Sequence, residues 1–149
     1  MLYCNNFTHA DFARFHPGGT LGKRLSITLL DLIHENSNVS VQIEDSIQKV
    51  IFEISNKRLG ATVVLDGDSL VGIITDGDLR RMLESTNDIS NVIAKDIMTL
   101  NPKNLDEYTL AYDALLFMQK HNINQVVITK SNQYQGIVHI NEIIKEELV

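Results

Sequence analysis

The chain has 149 residues, 44% of them hydrophobic, and a formal net charge of −6 at pH 7. This length allows one ordinary core or two small units that share one, and the negative charge argues against a general nucleic-acid binder, which needs a basic face. No apolar run approaches the roughly 20 residues of a membrane-spanning helix, and the single cysteine, Cys4, excludes an internal disulfide. We therefore expect a cytoplasmic protein without nucleic-acid or membrane partners.

Residues 1–25 stand apart from the pattern that follows them. A helix is predicted to start at Thr8, and three glycines fall within five residues in the stretch His16-Pro17-Gly18-Gly19-Thr20-Leu21-Gly22. This segment is interpreted as the end of a preceding domain, so the chain is expected to be a fragment of a longer protein.

Residues 26–88 show the order strand, helix, hairpin, helix. The predicted elements are a strand at Val39–Ile43, a helix at Ser46–Arg58, hairpin strands at Ala61–Leu65 and Leu70–Thr75, and a helix at Asp78–Leu83. The stretch Asp66-Gly67-Asp68-Ser69 supplies the turn of the hairpin.

Residues 89–149 repeat this order, since Gly72 and Gly136 begin similar apolar stretches 64 residues apart. The predicted elements of the second copy are a strand near Leu105, a helix at Thr109–His121, strands at Gln125–Lys130 and Gln135–Ile140, and a helix at Asn141–Leu148. A repeat of this length indicates two copies of one supersecondary unit, which are stable when stacked. We therefore expect an α/β (α+β) fold of two β-α-β-β-α repeats with pseudo-twofold symmetry and a shared interface.

The stretch Thr75-Asp76-Gly77-Asp78 is placed where a strand ends and a helix begins. Free backbone N–H groups at a helix N-terminus attract anions, a threonine hydroxyl can bond a phosphate, and a nearby carboxylate can accept from two sugar hydroxyls. The alternative is that Thr75 or Asp76 only caps the helix. The spacing by itself leaves both interpretations open.

Basic residues flank this motif. Arg80 and Arg81, with Lys57 and Arg58 at the end of the preceding helix, would form a cationic rim for an anionic ligand, or else are solvated helix ends. The five histidines show no metal-ligand spacing, so no metal site is expected.

The tandem unit and the pattern Gly-apolar-apolar-Thr-x-x-Asp-Leu-Arg, which starts at Gly72, resemble the CBS domain, whose pairs form Bateman modules. The resemblance implies that Thr75 and Asp78 hold the ribose and phosphate of a nucleotide in a cleft between the repeats. His139 and Glu142 stand at these positions in the second copy, where a phosphate contact would depend on protonation of the imidazole. The expected ligand-binding residues are Gly60, Ala61, Thr62, Thr75, Asp76, Asp78, Arg80, Arg81, Thr99, His139 and Glu142.

Two further stretches support the resemblance to CBS repeats. Asp96-Ile97-Met98-Thr99 resembles the opening of such a repeat, and Asp31-Leu32-Ile33-His34 is its weaker counterpart. The predicted division is therefore 1–25 for the remnant, 26–88 for the first CBS repeat with its linker, and 89–149 for the second.

The stretch from His16 to Gly22, followed by a CBS pair, is similar to the arabinose 5-phosphate isomerase family. Those enzymes join a sugar isomerase (SIS) domain to two CBS repeats and interconvert ribulose 5-phosphate and arabinose 5-phosphate for synthesis of the acidic sugar Kdo. The resemblance implies that His16 is catalytic in the parent enzyme, by proton transfer or positioning. A phosphate site, a base and an oxyanion stabiliser must act together, so no catalysis is expected from these 149 residues.

The resemblance thus predicts a regulatory module that senses a nucleotide or a nucleotide sugar such as CMP-Kdo and needs no cofactor. Its expected partners are that ligand, its own SIS domain and a second copy, in a homodimer formed through the CBS pairs within a homotetrameric parent. Two alternatives remain: an oligomerisation scaffold whose clefts stay empty, and an adenylate-sensing CBS pair.

Overall fold

The computed structural model describes residues 20–147, so His16 and the predicted helix start at Thr8 lie outside the described residues. The first elements are α1 (Thr20–Ser26), α2 (Leu29–Leu32), a 3-10 turn (Glu35–Ser37), β1 (Ser40–Gln42), α3 (Ile47–Lys57), β2 (Ala61–Asp66), β3 (Ser69–Thr75) and α4 (Asp76–Ser85). They are followed by α5 (Ala94–Ile97), β4 (Thr99–Leu100), β5 (Asn104–Asp106), α6 (Ala111–His121), β6 (Gln125–Lys130), β7 (Gln133–His139) and α7 (Ile140–Ile144).

The strands form two sheets of matching topology. In the first, β1 is parallel to β2, which pairs antiparallel with β3; in the second, β5, β6 and β7 repeat this arrangement. The hairpin register shifts between Val64 and Leu65 in one sheet and between Ile128 and Thr129 in the other, at equivalent positions of the 64-residue repeat. The predicted tandem β-α-β-β-α fold is confirmed.

Some element bounds differ from the sequence predictions. Helix α4 begins at Asp76 rather than Asp78, because Thr75 is its N-cap, and α7 ends at Ile144 rather than at residue 148. The two-residue strand β4 was not predicted, and it pairs with β3 through Ile73 and Thr99. Within residues 20–147 the second sheet has no fourth strand, and the 3-10 turn packs there against β7 instead.

Each core takes in the short helix that opens the other repeat. Leu29 of α2 is fully buried among second-repeat residues such as Leu115 and Ile128, whereas Ala94 of α5 is buried in the first-repeat core. Two isolated backbone bridges between the repeats, Thr28 with Leu110 and Ser46 with Ile93, hold these short helices against the opposite cores. The predicted division at residues 25/26 and 88/89 stays a prediction, and the packing crosses it in both directions.

A third cluster of buried side chains joins the two sheets. Its fully or nearly buried members are Val39, Leu59, Ala61, Val63, Val127 and Ile137. The hydroxyl of Tyr134 accepts from Val39 N (3.1 Å) and donates to Val39 O (2.7 Å), which ties the second repeat to the residue just before β1. Burial raises the pKa of Tyr134 above its ordinary value. Because each buried aliphatic side chain contributes about 1.5–3 kcal/mol, this interface holds the repeats in one arrangement.

Candidate ligand cleft between the repeats

An open cleft of about 790 Å³ lies between the two repeats. The first repeat contributes the loop after α3 and the start of α4, and its polar lining residues are Ser55, Arg58, Thr75, Asp76 and Arg80. The second contributes the loop after α6 and the end of β7, with Asn122, Asn124, Gln125 and His139. Helix ends and loops from equivalent positions of both repeats therefore face each other across this space.

The floor of the cleft is fixed by contacts across the repeats. Gln125 donates through Nε2 to Leu59 O at 3.1 Å. Gly60, with φ of +74°, lies directly beside this side chain, since a Cβ on Gly60 would come within 2.8 Å of Gln125 Nε2. Asp76 N donates to Gly60 O, and Ile140 N donates in the same manner to Asn124 O in the second half. A side chain at position 60 would thus strain the backbone and displace the Gln125 amide from its hydrogen bond to Leu59 O.

Thr75 and Asp78 form a reciprocal cap at the start of α4. The Asp78 backbone N donates to Thr75 Oγ1 (3.3 Å), and Thr75 N donates to Asp78 Oδ2 (2.9 Å). Such a capping box satisfies two of the helix's free N–H groups. The structure therefore shows the capping role, one of the two interpretations that the sequence left open, and the ligand role stays a prediction.

The other carboxylate oxygen of Asp78 is also engaged. Arg81 donates to Oδ1, and the hydroxyl of Thr99 lies 3.4 Å from the same atom. Asp78 is only 7% exposed and does not line the cleft. For this carboxylate to accept from a ribose diol, Arg81 or Thr99 must first release it.

The second repeat builds an equivalent cluster from different residues. Glu142 accepts from His139 N at 2.9 Å through Oε1, and its Oε2 lies 3.2 Å from His34 Nε2. His139 itself accepts from Asn141 N through Nδ1, at 3.0 Å. His34 lies three residues after Asp31, and Thr99 lies three residues after Asp96. Equivalent chain positions therefore supply the partner of Glu142 in one cluster and of Asp78 in the other.

The structure brings five of the predicted site residues together in the cleft: Gly60, Thr75, Asp76, Arg80 and His139. Asp78, Arg81 and Thr99 form the first acid cluster, and Glu142 belongs to the second, outside the cleft lining. Ala61 and Thr62 are buried in β2. The ligand contacts assigned to all these residues stay predictions.

Apart from His139, the sequence did not point to the polar residues that the second repeat supplies to the cleft. Asn122, Asn124 and Gln125 are ordinary loop and strand-start residues, and nothing in their local pattern indicates a binding surface. The signal that would have found them is the repeat itself, because a shift of 64 residues carries Arg58 onto Asn122 and Gly60 onto Asn124.

The cleft suits a polar small molecule with an anionic group. Two guanidinium groups and several amide and hydroxyl groups line it, whereas Asp76 is the acidic residue of the lining. In the described part of the chain, no three His, Cys, Asp or Glu side chains are grouped as a metal ion requires. No helix within residues 20–147 has the length and apolar character to cross a membrane.

Comparison with protein families gives two matches to the CBS domain, at residues 27–85 and 94–148. The chain is 37% identical over 150 residues to the arabinose 5-phosphate isomerase KdsD of Francisella tularensis, covering 99% of this chain and 46% of that protein. It is 38% identical over 142 residues to the arabinose 5-phosphate isomerase KpsF of Escherichia coli, covering 94% and 43%. The chain thus spans less than half the length of these relatives.

Solved structures show the same fold. The CBS domain of a CBS domain-containing membrane protein from Sphaerobacter thermophilus superposes with a TM-score of 0.74 at 19% identity, covering 93% of this chain and 97% of that one. A CBS domain protein from Pyrobaculum aerophilum, complexed with AMP, superposes with a TM-score of 0.71 at 23% identity, covering 82% and 98%.

Proposed function

This chain belongs to the CBS-domain family, and on that premise we propose that it is the regulatory, ligand-sensing module of an arabinose 5-phosphate isomerase. The proposal is supported by the alignment of nearly the whole chain with KdsD and KpsF, which are more than twice its length. Isomerisation itself would belong to the remainder of such a protein, with His16 contributed to that active site. The 149-residue chain alone should then not turn over arabinose 5-phosphate.

The observation that carries the ligand-sensing role is the polar cleft between the repeats. Its volume of about 790 Å³ lies within the range of small-molecule sites, about 300–1,000 Å³. Two CBS structures with the same fold were solved with AMP, which supports a nucleotide as the ligand class. Because a CMP-linked acidic sugar carries both a phosphate and a carboxylate, the two arginines of the cleft favour CMP-Kdo among nucleotide ligands.

Regulation requires that the ligand bind two states of the whole enzyme with unequal affinity. Helix α2 offers a route for this coupling, since it joins the preceding residues to the first repeat but packs Leu29 into the core of the second. A ligand that changes the spacing of the repeats would shift α2 and thereby the segment that leads to the SIS domain.

The proposed homodimer has a candidate surface on α3 and α6. Phe52 and Leu116 occupy equivalent positions of the repeat and remain 63% and 46% exposed. A second copy would cover these apolar side chains. Light scattering should then show a dimer for the wild type and a monomer for Phe52→Glu; a dimer in both would place the contact elsewhere.

Thermal unfolding with a ligand panel tests the proposed function. CMP-Kdo, CMP, AMP and ATP are each added at millimolar concentration, with cytidine as the phosphate-free control. A ligand present at a hundredfold excess over its dissociation constant stabilises the folded state by about 2.7 kcal/mol. We expect the largest shift with CMP-Kdo. A largest shift with AMP or ATP would favour the adenylate-sensing alternative, and no shift with any nucleotide would favour the empty scaffold.

A further inference from the structure

Arg58 ends α3 in a backbone conformation that suits few residue types. Its φ is 60° and its ψ is 27°, which is the left-handed region. Glycine or asparagine is favoured there at a helix C-terminus, since other side chains are strained against their own backbone. The equivalent residue in the second repeat is Asn122, which ends α6 with a φ of 57°. The first repeat therefore carries an arginine where its own copy has the unstrained choice.

Arg58 shares the cleft with Arg80 of α4. Within residues 20–147 neither guanidinium group makes a salt bridge or a side-chain hydrogen bond, in contrast to Arg81, which pairs with Asp78. Both side chains are exposed to solvent in the open cleft.

The charge in the cleft is confined to one repeat. A shift of 64 residues carries Arg80 onto Ile144, just as it carries Arg58 onto Asn122. The two halves of the cleft are thus similar in backbone but different in charge, so a symmetric pair of anion sites is absent from the described residues.

We propose that Arg58 and Arg80 together bind a phosphate group of the ligand, one per chain, against the first repeat. This proposal rests on the proposed ligand-sensing function and gives that ligand a single orientation. Planar guanidinium groups bind phosphate through paired hydrogen bonds, and Arg58 at the end of α3 and Arg80 in α4 bring two of them to the lining of one cleft. Residues with strained backbones are concentrated at binding and catalytic sites, and Arg58 combines such a conformation with a place in the cleft lining.

The test exchanges the first repeat's residue for that of the second. In Arg58→Asn, relief of strain should raise the unfolding midpoint by about 2–4 °C without ligand, while affinity for the best-binding nucleotide should fall about tenfold or more. Arg80→Gln should show a similar loss of affinity without the stabilisation. Lys120→Gln removes an exposed cation from the end of α6, outside the cleft, and should change the affinity less than twofold at 0.15 M salt.

Calorimetric titration with the nucleotide and, separately, with pyrophosphate separates this proposal from the proposed function. If Arg58→Asn binds the nucleotide as tightly as the wild type does, the proposed arginine site is wrong while ligand sensing stands. The same conclusion follows if two molecules of nucleotide bind to each wild-type chain. If pyrophosphate binds and Arg58→Asn abolishes this, but no nucleotide binds, the phosphate site stands and nucleotide sensing is wrong. If neither ligand binds the wild type, both proposals fail.

Discussion

Replacing Leu29 by alanine tests the crossing of α2 into the second core. Leu29 is fully buried among second-repeat residues although it lies at the start of the first repeat in the chain. A buried leucine truncated to alanine typically costs about 2.7–5 kcal/mol, which is the lost transfer free energy of the removed atoms plus a term for the cavity left behind. For a chain of this size the unfolding midpoint should fall by roughly 5–15 °C.

Thermal and urea unfolding measure this loss, and Leu25→Ala provides the matched control. Leu25 lies four residues earlier in α1 and is 68% exposed, so its truncation should change stability by less than about 0.5 kcal/mol. Amide hydrogen exchange then locates the effect. Faster exchange in Leu29→Ala should appear in α6 and β6, the elements that pack around Leu29, before it appears in β2.

Two results would refute the crossing. One is equal stability loss in Leu29→Ala and Leu25→Ala, which would mean that α2 is not part of a packed core. The other is loss of amide protection confined to the first repeat, which would place Leu29 in the core adjacent to it in sequence.

Two further substitutions test the core and the interface between the sheets. Glu107 is 3% exposed, and its carboxylate makes no hydrogen bond or salt bridge within the described residues, whereas the equivalent first-repeat residue is Ile43. Glu107→Ile should therefore raise stability by about 1 kcal/mol or more in urea unfolding. The control, Glu84→Ile on the surface, should not raise it. Tyr134→Phe should cost about 1 kcal/mol at pH 7 through the lost bonds to Val39. Because folding raises the pKa of Tyr134, the stability that depends on its protonated hydroxyl is fully present below about pH 10 and is lost as the pH rises above that value. The difference in stability between the wild type and Tyr134→Phe should therefore shrink at alkaline pH. A difference that grows there would contradict the burial of the hydroxyl.

The sequence by itself determined the repeat and the type and order of its main elements. Helical spacing in α3 and α6, and β-branched runs beside turn residues in the hairpins, are local features that each act over a few residues. The capping box at Thr75 and Asp78 is equally local, because a helix N-cap is satisfied by residues three positions apart. Gly60 and Arg80, which the resemblance to CBS domains implied as ligand-binding residues, line the first-repeat side of the cleft, and their ligand contacts stay predictions.

Only the tertiary structure decided which core each short helix joins and which side chains share the cleft. Helices α2 and α5 have four residues each, too few for an amphipathic pattern, so their burial is set by the neighbours that they meet after the chain has crossed over. Strand β4 exists because β3 offers it a free edge. Arg58 and Asn122 are 64 residues apart in sequence and line the same cleft because the two repeats pack against each other. The difference in charge between the two sides of the cleft therefore follows from the tertiary structure.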